Sequence, residues 1–201
     1  MTIQAIQTFL AALPSGEVFT PKSLQSFGSR ASVDQVLSRL VKRGLIQREA
    51  RGVYSKPITS RFTGQPIPAQ MPKVLEVIAQ HNLEVIALSG AVAVNYFELS
   101  TQNQLKPMYL TTGRSRKIKI GHQVVQLRHV NPKRLPLGNS KAGLAITAMR
   151  YLGRREMRIE MVQQIQKRLL PSEWQQVEAA LTTQPSWLSS LIYQTAKQAN
   201  P

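Results

Sequence analysis

Arg30, Gln35, Ser38, Arg39 and Lys42 recur along one short stretch of the chain, interleaved with Val33, Val36, Leu37, Leu40 and Val41. The apolar set repeats at helical spacing, so it defines a buried stripe and turns the polar set to the opposite face. Side chains of these types suit the edges and backbone of a nucleic-acid duplex. Arginine forks onto guanine and glutamine onto adenine, while serine and lysine hold phosphate. Arg30, Gln35 and Arg39 are therefore the candidate base-reading residues, with Ser38 and Lys42 the candidate phosphate contacts. Asp34 is expected to turn to a helix cap or to a neighbouring arginine. Further on, Arg48 and Arg51 lie beside Gly52, a placement that suits phosphate or minor-groove contact; Tyr54 reads as a core residue. A third cationic group, Arg114, Arg116, Lys117 and Lys119, runs into a candidate strand. There Lys117 and Lys119 share one face while Ile118 and Ile120 pack inward. Such a face either meets DNA or blocks aggregation at a sheet edge.

Catalytic constellations are poor by comparison. Asp34 is the only aspartate, so paired-carboxylate chemistry must be assembled from scattered glutamates. Glu156 and Glu160 are helically spaced but stand beside Arg155 and Arg158, the pattern of surface ion pairs. His81, His122 and His129 lack metal-ligand spacing, and no cysteine is present to hold zinc or form a disulfide. Gly138-Asn139-Ser140-Lys141-Ala142-Gly143 lacks the Gly-Lys-Ser/Thr ending of a phosphate loop. The expectation is a binding protein, not an enzyme, with no cofactor and no metal.

The chain has 201 residues, and 26 Lys+Arg against 10 Asp+Glu give a formal net charge of +16. The excess spreads along the whole length, unlike a basic tail, and fits a polyanionic partner. The opening Met1-Thr2-Ile3-Gln4 has no signal-peptide character, and the longest nearly apolar run, Val85 to Val94, is too short to span a membrane. A cytoplasmic location without membrane association is expected.

The elements that position these residues follow from periodicity and breakers. Ile3, Ile6, Leu10 and Leu13 predict a helix over 3–12, ended by Pro14 and Gly16. Val18-Phe19 is a strand fragment, and Thr20 caps a short helix from Pro21 to Phe27. The next helix starts after Ser29 or Ser32, the latter forming a capping box with Gln35, and stops at Gly44. Leu45 to Glu49 and Val53 to Ser55 form two strands turning at Gly52. Helices and a β-ribbon in this order predict a winged helix-turn-helix over 1–57. Pro57, Gly64, Pro66 and Pro68 mark 58–70 as a linker. Residues 71–201 form a second domain, with an α/β core to about 137 and helices over 138–201. Its expected pieces are a helix from Pro72 to His81, a strand from Glu84 to Ser89 and a helix from Gly90 to Leu99. Strands follow at Pro107–Thr112, Lys117–Ile120 and Gln123–Val130, then helices over 142–152, 158–169, 172–182 and 186–198. The fold class is α+β.

Val33 to Ile46 followed by Arg51-Gly52-Val53-Tyr54 resembles the N-terminal winged helix of AbiEi-type antitoxins. Ser89 to Asn95, Leu99-Ser100-Thr101-Gln102, Tyr109-Leu110-Thr111 and Ser115 to Gly121 resemble their C-terminal domain. Pro185-Ser186-Trp187-Leu188 is similar to its Pro-x-Trp ending. Phe97-Glu98 stands where the resemblance expects Leu-Gly. The resemblance implies the antitoxin of a type IV toxin–antitoxin pair. Such a protein represses its own operon through an inverted-repeat operator in double-stranded DNA and counters a nucleotidyltransferase toxin without a stable complex. The alternatives are a stand-alone regulator with a ligand-sensing or dimerising C-terminal domain, and an RNA-binding protein.

Overall fold

A computed structural model describes residues 2–100 and 108–199. Thr101, Gln102 and the expected strand start at Pro107 lie outside the described residues. The protein is mixed α and β and divides into two compact units, Met1–Leu83 with Ile118–Val124, and Glu84–Lys117 with Val125–Pro201.

In the first unit, α1 (Thr2–Ala12) leads to β1 (Val18–Phe19), a 3-10 turn over Pro21–Phe27, and α2 (Arg30–Lys42). Then come β2 (Gln47–Ala50) and β3 (Val53–Ser55), which with β1 form an antiparallel sheet in the order β1-β3-β2. Ile6, Leu24, Val33, Leu37 and Ile46 are fully enclosed between these elements. Phe19 stacks on Tyr54, so Tyr54 is a core residue as its position suggested. Lys56 Nζ donates to the carbonyls of Ala11 (3.1 Å) and Leu13 (2.6 Å), satisfying acceptors that the end of α1 leaves open.

The structure refines three local expectations. The short helix expected over Pro21–Phe27 is present as a 3-10 helix, but the Thr20 side chain makes no capping bond. Of the two expected starts of α2 the structure takes the first, after Ser29, whose hydroxyl accepts the Ser32 N–H, so the alternative capping box from Ser32 to Gln35 does not form. β2 starts at Gln47 because the N–H of Leu45 is used to close α2, bonding back to Leu40 while Gly44 bonds to Val41. Gly44 supports that reversal with φ +71°.

The stretch expected as linker contains β4 (Ile58–Thr59) paired antiparallel with β5 (Pro66–Ile67). α3 (Met71–Asn82) groups with the first unit, so the expected boundary at 58–70 differs from the observed division at 83/84.

β6 (Ile86–Leu88), β7 (Met108–Thr111), β8 (Arg116–Ile120) and β9 (Gln123–His129) belong to a sheet ordered β6-β7-β9-β8, of which Ile118–Val124 group with the first unit and the rest with the second. β6 pairs antiparallel to β7, with Ala87 opposite Leu110. β7 runs parallel to β9, with Tyr109 opposite Leu127. α4 (Gly90–Tyr96) and α5 (Lys141–Glu156) cross so closely that Gly90 has no room for a Cβ against Tyr151. α5 breaks at Gly153 (φ +70°), and α6 (Ile159–Lys167), α7 (Pro171–Ala180) and α8 (Ser186–Ala199) follow. Phe97, Ala145, Ile146, Met149, Ile165 and Leu188 form the fully buried centre.

α4 stops earlier than expected, at Tyr96. Glu98 takes φ +56°, its N–H bonding to Asn95 and that of Leu99 to Val94. This left-handed cap favours glycine, the residue that the family resemblance expects here. Glu98 compensates through an ion pair with Arg168. The guanidinium holds the carboxyl below its usual range, first by hydrogen bonding and then by charge.

Candidate nucleic-acid interface

α2 is amphipathic by construction. Val33, Val36, Leu37 and Leu40 are buried, while Arg30, Gln35, Ser38, Arg39 and Lys42 are all exposed. All five helix candidates are thus on the exposed surface of α2, Gln35, Ser38, Arg39 and Lys42 opposite the buried stripe and Arg30 at its first turn. Arg30 is the first residue of α2, and its Nε donates to Asp34 Oδ2 at 2.9 Å. Asp34 therefore takes the neighbouring-arginine alternative.

The turn between β2 and β3 carries the next candidates. Arg48 is opposite Tyr54, and the register slips between Arg48 and Ala50 before the chain reverses at Gly52 (φ +74°). Nothing crowds Gly52, so the left-handed backbone rather than space calls for glycine there. Arg48 and Arg51 are both exposed. The buried Glu49 between them accepts from the Ser55 hydroxyl (2.6 Å) and the Ala69 N–H (3.0 Å), fixing the base of the ribbon.

The third cationic group is less uniform than its sequence. Arg114, Lys117 and Lys119 are exposed, whereas Arg116 is half-buried and Ile120 is buried. Both Arg116 Nη atoms engage Glu84, which also accepts from Thr111 Oγ1 at 2.7 Å. Arg116 therefore already has its anion inside the second unit, and the crowding of like charges around it is relieved without DNA. Glu84 and Thr111 escaped the sequence reading. The available signal was Glu84 itself, a lone carboxylate opening a strand in a cationic chain.

Other cations are likewise engaged internally. Arg150 donates to Gln184 Oε1 at 2.8 Å, and burial, followed by the charge of Arg134, lowers its pKa. Among the described residues no cluster of three or more His, Cys, Asp or Glu could hold a metal. Among the same residues no helix is long and apolar enough to cross a membrane.

Fold and site together define an α+β protein whose first unit displays a cationic helix face and an arginine-bearing β-turn. A family model, described as a family of unknown function (DUF6088), matches residues 5–177, and the chain belongs to that family. No curated protein and no solved structure matches it.

Proposed function

We propose that the first unit is a winged helix-turn-helix that binds double-stranded DNA, with α2 in the major groove and the β2–β3 turn as the wing. One observation carries this reading. The exposed face of α2 holds Arg30, Gln35, Ser38, Arg39 and Lys42 and only one carboxylate, and the turn adds Arg48 and Arg51. Only a helix or β-ribbon fits the major groove, where all four base pairs are distinguishable. Arg114, Lys117 and Lys119 are the further candidates for phosphate contact, and Arg116 is set apart from them by its pairing with Glu84.

In this reading the protein acts in the cytoplasm by binding rather than catalysis. It is the antitoxin of a type IV toxin–antitoxin system, repressing its own operon through an inverted repeat and countering a nucleotidyltransferase toxin without a stable complex. The resemblance of Leu99-Ser100-Thr101-Gln102 and Ser115 to Gly121 to AbiEi-type antitoxins supports the second half. The test is titration of the full chain against its own promoter and a random duplex, alongside coexpression with the product of the neighbouring gene. Preference for the promoter, reduced on that site more than on random DNA by Arg39→Ala, supports operator reading. Equal binding to both duplexes refutes it, and failure to rescue growth refutes the antitoxin role.

A stand-alone regulator is favoured by one feature, a cavity of about 790 Å³ between α4 and the end of α5, lined by Val94, Leu99, Leu152, Arg155 and Arg158. A small molecule that raises the melting temperature and shifts promoter affinity would select this reading.

A further inference from the structure

Between Val18 and Arg48, Asp34 is the only acidic residue, set among Lys22, Arg30, Arg39, Lys42, Arg43 and Arg48. A carboxylate on a face that meets a polyanion weakens attraction to every phosphate alike. It does little for the helix either. Arg30 stands at the start of α2, where the helix dipole disfavours a cation. A cation four residues before an anion is also the weaker order for such a pair.

The contact does have a geometric effect. Asp34 Oδ2 takes the Nε–H of Arg30 at 2.9 Å. The guanidinium is a rigid plane with five donors, so fixing Nε orients the whole group and leaves the two Nη atoms as a fork for a second partner. That fork matches O6 and N7 of guanine. Residues at the start of a recognition helix are those that reach base edges.

Resting on the DNA-binding reading above, we propose that Asp34 is a specificity-determining residue. It locks Arg30 so that the Nη fork reads a guanine in each half-site, and it does so at the expense of general affinity for DNA. A residue with a merely structural role moves both quantities together, whereas here they move in opposite directions.

The experiment selects sites from a randomised duplex library with the full-length protein. It then measures wild type, Asp34→Ala, Arg30→Lys and the double variant on the selected site, its single-base variants and a random duplex. Both side chains are well exposed, 60% for Arg30 and 47% for Asp34, so the variants fold, which circular dichroism checks. Wild type is expected to discriminate one G·C pair by roughly five- to 150-fold. Asp34→Ala loses several-fold of that discrimination while binding the random duplex as tightly or tighter. Arg30→Lys, which has no fork, loses the same preference, and adding Asp34→Ala to it changes discrimination no further. Full discrimination in Asp34→Ala, or a loss at a pair that Arg30→Lys leaves untouched, overturns the proposal while leaving DNA binding intact. A wild-type protein that selects no sequence overturns the DNA-reading itself, a distinguishable result.

Discussion

Arg116→Ala is a test of whether the basic run at 114–119 is a surface feature or part of a core. The Glu84 side chain is 4% exposed and that of Arg116 30%, and the pair is bidentate. Removing Arg116 leaves the enclosed Glu84 carboxylate without its cation, though the Thr111 hydroxyl still donates to it. Breaking one side of a buried ion pair costs about 3–5 kcal/mol. The partial exposure of Arg116 admits water, which brings the figure to about 2–4 kcal/mol. For a unit of this size that lowers Tm by roughly 10 °C. Both tryptophans, Trp174 and Trp187, lie in the second unit, so their fluorescence during thermal or urea unfolding reports the unit that contains the pair. Lys117→Ala, one residue further along the strand and exposed, is the internal control and should stay within about 0.5 kcal/mol of wild type. Replacing both partners, as Glu84→Gln with Arg116→Met, should recover much of the loss, since the isolated buried charge is then gone. If Arg116→Ala unfolds together with Lys117→Ala and wild type, the pairing of Arg116 with Glu84 is not structural, and Arg116 returns to the set of possible DNA contacts.

Leu83 ends α3 at φ +54° and is 95% exposed, so Leu83→Gly should stabilise the first unit by about 0.5–1 kcal/mol in urea titrations; an equal loss would show that the side chain packs. Burial raises the pKa of Tyr109 above its ordinary value of 10.0. The folded state therefore favours the neutral phenol, and this contribution is full below pH 10 and lost as pH rises through the higher folded pKa. Tyr109→Phe should flatten the alkaline decline of stability, and an unchanged profile would assign the decline to other groups. Lys117→Ala with Lys119→Ala should flatten the slope of log affinity against log salt by about two units if each meets a phosphate, since each such contact contributes about −0.9; coincident slopes would remove the ribbon from the DNA interface.

Short-range patterns were legible in the sequence and long-range pairings were not. The stripe from Val33 to Leu40, the stop at Gly44 and the reversal at Gly52 are each set by neighbours a few residues away, and each recurs in the structure. The alternation of Lys117, Ile118, Lys119 and Ile120 was equally readable. The pairing of Glu84 with Arg116 joins residues 32 apart, one just before β6 and the other at the start of β8, which no local pattern encodes. The parallel register of β7 on β9 was hidden for the same reason. The hairpin at 58–67 was masked by Gly64, Pro66 and the flanking Pro57 and Pro68, which are as suited to a tight ribbon as to a linker. The exposed residues of α2 were legible as a set, and an arginine partner for Asp34 was one of two expectations, but the choice of Arg30 Nε depends on side-chain geometry that spacing does not fix.

The chain leaves the first unit at Leu83, returns for Ile118–Val124, and departs again. In the second visit the N–H of Gly121 bonds to the carbonyl of Glu49, in the strand that leads to the Gly52 turn. Neither unit is therefore a contiguous piece of gene. A fragment stopped near Ile67 lacks α3 as well as the returning loop, and one stopped at Leu83 still lacks the loop. Loss of activity in either fragment would confound a missing function with an incomplete fold. Dividing DNA binding from antitoxicity calls for point substitutions in the intact chain, or for a rewired gene that splices 118–124 onto the N-terminal segment through a new connection.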